Sequence, residues 1–313
     1  MRPRSECAGA WRRPPSCTPR ASDYPGGVKI SDARWIVTGA GGMLGTDLCE
    51  RLRREGADVR ALDRGELDVT DPHAVAQQVR DVDVVVNCAA WTAVDDAEER
   101  EGAAFTLNAV APQLLARAAR LAGARMVQIS TDYVFAGDAS QPYPESAAAA
   151  PRSAYGRTKM AGEWAVRAET PDHLIVRTAW LYGAHGPCFP KTMARLASER
   201  DSLSVVADEV GQPTWTADLA DLVLRMVAAD APSGTYHGTS SGSVSWHGFT
   251  EEIVRTLGKD PAMVAQTTAE AFQRPAPRPS YSVLGHDALR TAGVEPIGHW
   301  AERWTVAAPV VLA

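Results

Sequence analysis

A doubly wound parallel α/β sheet is the fold class this sequence predicts, and three observations predict it. From Arg34 onward, short β-branched or apolar runs alternate with longer helix-forming stretches, the form taken by repeated βαβ units. A glycine-rich turn, Gly39-Ala40-Gly41-Gly42-Met43-Leu44-Gly45, joins the first such run to the first helical stretch. The chain has 313 residues, 45% hydrophobic and 22% charged, enough apolar side chain for one large core or two modest domains.

Each element has its own reason. Strands are predicted over Trp35–Thr38, Asp58–Leu62, Val82–Asn87, Met126–Ser130 and Leu174–Thr178, where Val, Ile and Leu dominate. Between them, Leu44–Arg54, Pro72–Arg80, Ala97–Leu121 and Tyr155–Ala168 are rich in Ala, Leu, Arg and Glu and read as helices. Asp71 before Pro72 reads as an N-cap followed by an N1 proline. After about Leu181 the alternation loosens, with Pro, Gly, Ser and Trp between shorter helices at Leu219–Ala228 and Thr250–Leu257, which reads as a smaller C-terminal domain. The chain is thus divided into an extension (1–30), a Rossmann-like domain (31–180) and a substrate-binding region (181–313), some of whose segments return to the second. The extension reads as disordered, because Arg2, Arg4, Arg12, Arg13 and Arg20 lie among prolines without an amphipathic period.

Composition excludes several functions. A net charge of −6 opposes a surface built to neutralise phosphate backbones, so no nucleic-acid partner is expected. No apolar run reaches the ~18–20 residues of a membrane-spanning helix. The five cysteines are scattered without C-x-x-C spacing, which fits reduced thiols and a cytoplasmic protein. The seven histidines form no H-E-x-x-H pattern, and no metal site is expected.

The glycine turn carries chemistry because a helix follows a strand there. Gly39 permits the tight turn, Gly42 lets backbone approach a pyrophosphate, and Gly45 lets helix and strand pack closely. The helix starting near Met43 and Leu44 would aim its N-terminal N–H groups at dinucleotide phosphates. Asp63, at the end of the second strand, suits a hydrogen bond to the adenosine ribose and favours NADH, although a solvated strand-end charge is the plainer reading. Arg64 beside it suits a 2′-phosphate, so NADPH and NADH both stay open.

Tyr155 and Lys159 lie at i, i+4 spacing on one face of the fourth helix. A lysine cation beside a phenol stabilises phenolate and would pull the tyrosine pKa from about 10 toward operating pH. Ser130-Thr131, at the end of the preceding strand, supplies a hydroxyl at the carboxyl edge where doubly wound sheets bind ligands. An exposed helical pair is the bland alternative. Thr131, Tyr155 and Lys159 together read as a catalytic set.

These residues, with Asn87 to Asp95, Ile129-Ser130-Thr131-Asp132-Tyr133-Val134-Phe135, Arg177 to Gly183 and Asp208 to Thr214, resemble the extended short-chain dehydrogenase/reductases. Within them the chain is similar to the dTDP-4-dehydrorhamnose reductase family, in blocks spread from about Arg34 to Leu289. The resemblance implies reduction of the 4-keto group of a dTDP-4-keto-6-deoxy sugar by NADPH or NADH, with Thr131, Tyr155 and Lys159 catalytic. It implies adenine contacts at Asp68 and Val69, nicotinamide-side contacts at Ala89, Ala90 and Thr92, and sugar contacts at Val94, Tyr133 and Trp180. Trp180 also reads as an ordinary core aromatic. Arg278 suits the substrate diphosphate, or is a surface arginine. Glu209 departs from the family, where Gln is common, and so do Gly285 and His286. Two further readings stay open: another dTDP-deoxysugar ketoreductase such as a dihydrostreptose synthase, and a non-catalytic dinucleotide-binding subunit resembling the regulatory β-subunit of methionine adenosyltransferase. A homodimer is left open as the assembly.

Overall fold

The structure, a computed structural model, describes residues 29–313. The predicted disordered extension therefore lies outside the described residues up to Val28, while Ile30–Asp32 forms a 3-10 turn whose Ile30 carbonyl accepts the Trp35 indole N–H.

The strands β1 (Arg34–Thr38), β2 (Asp58–Leu62), β3 (Val84–Asn87), β4 (Arg125–Thr131) and β5 (His173–Thr178) fall where the apolar runs placed them. They alternate with α1 (Met43–Arg54), α2 (Pro72–Gln78), α3 (Val94–Glu99), α4 (Glu101–Phe105), α5 (Ala111–Ala122) and α6 (Ala154–Glu169). The Asp71 carboxylate caps α2 by accepting from His73 N and Ala74 N, with Pro72 in the first turn.

Beyond β5 come β6 (Leu181–Tyr182), α7 (Phe189–Glu199), β7 (Leu203–Val206), β8 (Val210–Gly211), β9 (Thr214–Trp215), α8 (Thr216–Ala228), β10 (Gly234–His237) and α9 (Trp246–Thr256). The main sheet is parallel throughout, in the order β2-β1-β3-β4-β5-β10. Strand β10 comes from the C-terminal region, some of whose segments were expected to return to this domain, although no strand was expected at Gly234–His237.

Side chains alternate across the pleat, so each face of the sheet buries its own layer. Trp35, Val37, Val86, Val127, Leu174 and Val176 pack against α1 and α8. Ile36, Val85, Met126 and Ile175 pack against Val75 of α2 and Leu115 and Ala119 of α5. An aromatic core, with Tyr182, Phe249 and Trp304 at its centre, holds α7, α9 and the last helix, Trp300–Val311.

The stretch predicted as one helix, Ala97–Leu121, is instead interrupted at Arg100 and widened into a π turn at Thr106–Val110. Its composition favours helix throughout, but Asn108 turns inward. Asn108 Oδ1 accepts from Trp91 N, and Nδ2 donates to the Trp91 carbonyl and the Thr158 hydroxyl. Tertiary hydrogen bonds to a buried amide outweigh regular winding here, as at many π-bulges.

Candidate active site

Strand order reverses between β1 and β3, and the loops leaving their carboxyl ends open the crevice where doubly wound sheets bind ligands. Gly39 has φ +66, and a Cβ there would lie 2.6 Å from the Ala89 nitrogen, so only glycine fits. Gly42 precedes α1 in extended conformation; Met43, Leu44 and Gly45 form its first turn. Beside them lies a cleft of ≈350 Å³ lined by Ala40, Gly41, Thr46, Arg53, Asp63 and Glu66, among others. A bare backbone cradle, a helix N-terminus without a side-chain cap and an adjoining cleft fit a dinucleotide.

Asp63 is exposed, and its Oδ1 accepts from Gly65 N at 2.6 Å and Glu66 N at 3.3 Å, which fixes the carboxylate at the cleft. Arg64 is exposed beyond it. Asp68 is bonded to Thr70, and the Val69 side chain is buried in the α2–α5 layer. Ala89 and Ala90 are half-buried on the loop after β3, Thr92 is exposed there, and Val94 opens α3.

Thr131 ends β4, and Tyr155 and Lys159 share a face of α6, whose N-terminus Ser153 caps by accepting from Gly156 N. The Thr131 hydroxyl donates to Asp132 Oδ1 at 2.9 Å and accepts from Tyr133 N. The Tyr155 ring meets Tyr133 edge-on, with centroids 5.5 Å apart. Lys159 Nζ donates to the Ile129 carbonyl at 2.6 Å.

Electrostatics correct one expectation. Burial pushes the Tyr155 phenol up to about 12, the Thr131 hydroxyl opposes this and Asp132 adds to it; Lys159 is not among the causes. The phenol is therefore held protonated, as a proton donor requires, rather than drawn toward phenolate. Burial brings Lys159 down to about 8, against the pull of Glu163 and Cys88.

Three features escaped sequence reasoning. Asp132 is buried, its pKa is driven up to about 6 by desolvation, and its Oδ2 has no hydrogen-bond partner. Its place after Thr131 was visible, but not its burial. Glu163, one turn beyond Lys159, is fully buried and accepts from Arg177 at 2.8 and 2.7 Å, Ser130 at 2.6 Å and Arg167 at 2.9 Å. The helical period could have found it. Trp246, from α9, stacks on Trp180 with centroids 3.4 Å apart, and no motif signals it.

Trp180 is half-buried with φ 47 and stacks on Trp246. Arg278 is not a free surface arginine: Nη2 donates to Asp95 Oδ2 at 2.7 Å, and the residue lines a second cleft with Tyr133, Arg152 and Ser153. Among the described residues, one group has metal-like spacing: Asp47, Glu50 and His185, with ligand atoms within 4.8 Å of one another. Thr216 donates to Asp47, Arg54 donates to Glu50 at 3.2 Å, and His185 Nε2 lies 3.5 and 3.7 Å from the two carboxylates. No helix among the described residues is long and apolar enough to cross a membrane.

A parallel sheet with a glycine-turn cradle and a Thr–Tyr–Lys set at its carboxyl edge defines an oxidoreductase of the extended short-chain dehydrogenase/reductase type. The family described as RmlD substrate binding domain matches residues 33–308. The chain is 50% identical to a dTDP-4-dehydrorhamnose reductase of Streptomyces griseus over 89% of this chain and 94% of that one. It is 49% identical to a probable dTDP-4,6-dihydroxy-2-methyloxan-3-one 4-ketoreductase of Streptomyces antibioticus, covering 90% and 96%. The crystal structure of a Bacillus anthracis dTDP-4-dehydrorhamnose reductase in complex with NADP superposes with TM-score 0.85 at 39% identity, covering 88% and 99%. The chain belongs to the dTDP-4-dehydrorhamnose reductase family.

Proposed function

We propose that this chain uses NADPH or NADH to reduce the 4-keto group of dTDP-4-dehydro-6-deoxy-L-mannose, giving dTDP-L-rhamnose. What supports the reading is that Thr131 ends β4 and Tyr155 and Lys159 share a face of α6 at the carboxyl edge of the sheet that also carries the glycine turn, with the Tyr155 ring edge-on to Tyr133. Reduced nicotinamide, when bound, supplies the hydride that reaches C4.

The residues of the chain supply the rest. Tyr155 gives its phenolic proton to the carbonyl oxygen, which becomes the product hydroxyl, and solvent later restores the proton. Buried and protonated, the phenol suits this role. Thr131 positions the oxygen beside the phenol. The Lys159 ammonium, fixed by the Ile129 carbonyl, keeps N–H donors for the ribose hydroxyls. Arg278, oriented by Asp95, offers a guanidinium to the diphosphate. The unpaired Cys49, Cys88 and Cys188 support a cytoplasmic setting.

A second reading keeps the chemistry and changes the sugar to another dTDP-deoxyhexose; the similarity to the Streptomyces antibioticus relative and Glu209, which stands where Gln is common in the family, favour it. Incubation with the dTDP-4-keto sugar and each cofactor, followed by identification of the product, tests both. Formation of dTDP-L-rhamnose supports the first reading; no turnover despite dinucleotide binding refutes it.

A further inference from the structure

Glu209 takes no part in the steps above, yet its surroundings are those of a recognition group. It is buried at 5% exposure on the turn leading into β8. Its Oε2 accepts the Trp246 indole N–H at 3.0 Å, and no described residue donates to Oε1. One carboxylate oxygen is thus committed and the other is available. Desolvation raises its pKa, while Arg274, the Trp246 indole and Arg278 stabilise the charge.

The residue is also tied to the aromatic pair beside it and to the segment that lines the Tyr133 cleft. Trp246, which it orients, stacks on Trp180 with planes 6° apart, and Trp180 lies so close over Gly211 that a Cβ there would approach its ring to 2.5 Å. Next to Glu209, Val210 N donates to the Ser280 carbonyl at 2.9 Å, which ties this turn to the Arg278–Pro279 segment lining the cleft with Tyr133. Glu209 therefore joins the aromatic platform of Trp180 and Trp246 to the wall of Tyr133 and Arg278.

We infer that Glu209 is a specificity-determining residue, whose Oε1 accepts a hydrogen bond from a hydroxyl of the sugar bound beside the Trp180–Trp246 stack. This rests on the proposed dTDP-sugar reading. A carboxylate accepts at both oxygens, whereas an amide accepts at only one. Glu209→Gln can keep its oxygen on the Trp246 indole only by turning an uncharged NH₂ toward the sugar. The aromatic stack survives, and the charged hydrogen bond to the sugar is lost.

The test compares wild type with Glu209→Gln in turnover of the dTDP-4-keto-6-deoxy sugar and in binding of dTDP-L-rhamnose and of dTDP. The expected result is a rise of roughly ten-fold in sugar-nucleotide KM and in dTDP-L-rhamnose Kd, the difference between a charged and a neutral hydrogen bond. The dTDP Kd, the NADPH KM and the thermal midpoint stay within two-fold or about a degree of wild type. Unchanged dTDP-L-rhamnose Kd and sugar KM overturn the inference while leaving the proposed reaction standing. Equal weakening of dTDP and dTDP-L-rhamnose also overturns it, because the effect would then lie outside the sugar. A wild type that binds neither ligand and turns nothing over overturns the dTDP-sugar reading, and this inference with it.

Discussion

Replacing Lys159 by Met separates a catalytic lysine from a structural one. The ammonium is buried at 4% exposure, and burial lowers its pKa from 10.5 to about 8. Keeping it charged at neutral pH therefore costs the folded state about 3 kcal/mol. The sign follows from proton counting. Between about pH 8 and 10.5 the unfolded chain holds more protons at this site than the folded one, so stability rises with pH across that window and the cost is largest below it. Methionine removes the charge in similar volume. The Ile129 carbonyl keeps a partner, because Gln128 Nε2 also donates to it at 2.8 Å. Thermal unfolding at pH 7 should show a higher midpoint for Lys159→Met, by roughly 6–12 °C at ~2–4 °C per kcal/mol. Steady-state assay should show kcat/KM down by at least ~10², since the nicotinamide ribose loses the donor that orients it. A variant that is both less stable and nearly fully active would refute the reasoning.

The other predictions follow from the same geometry. Tyr155→Phe keeps the ring against Tyr133 and removes only the proton donor, so kcat should fall by ~10² to 10⁴ with dinucleotide binding unchanged, as measured by fluorescence titration; a kcat near wild type refutes the donor role. Glu163→Gln leaves Arg177 and Arg167 facing a neutral amide in the interior, and chemical denaturation should show a loss of about 3–5 kcal/mol; an unchanged midpoint would show that the buried cluster contributes nothing. Asp63→Asn keeps the turn at Gly65 but removes a negative charge from the cleft, so the ratio of kcat/KM for NADPH over NADH should rise several-fold; no change in the ratio would place the adenosine ribose elsewhere.

Much of this was legible in the residues. Five strands and the glycine turn announced themselves through apolar runs separated by helix formers, since βαβ units impose that alternation. Tyr155 and Lys159 were legible because four residues along a helix is one turn, and Thr131 because strand ends face the crevice. Strand β10 was not, because Gly234–His237 has four residues, one of them glycine, and becomes a strand only by pairing with β5. The break at Arg100 and the π turn were hidden because Asn108 is held by Trp91 and Thr158, residues distant in sequence. The direction of the Tyr155 shift was misjudged because helical spacing puts a cation on the same face but does not reveal how far the fold desolvates the phenol. The Trp180–Trp246 stack joins residues from two elements far apart in sequence, and no local pattern encodes it.

The measurement that tests the central claim most directly is product analysis of one incubation, in which purified protein, the dTDP-4-keto-6-deoxy sugar and NADPH are followed by loss of nicotinamide absorbance and NMR of the sugar product. The account predicts one equivalent of NADPH oxidised per dTDP-L-rhamnose formed, with Tyr155→Phe slower by at least ~10² under the same conditions. Tight NADPH binding with no oxidation in the presence of the keto sugar, or equal rates for the two proteins, would contradict it.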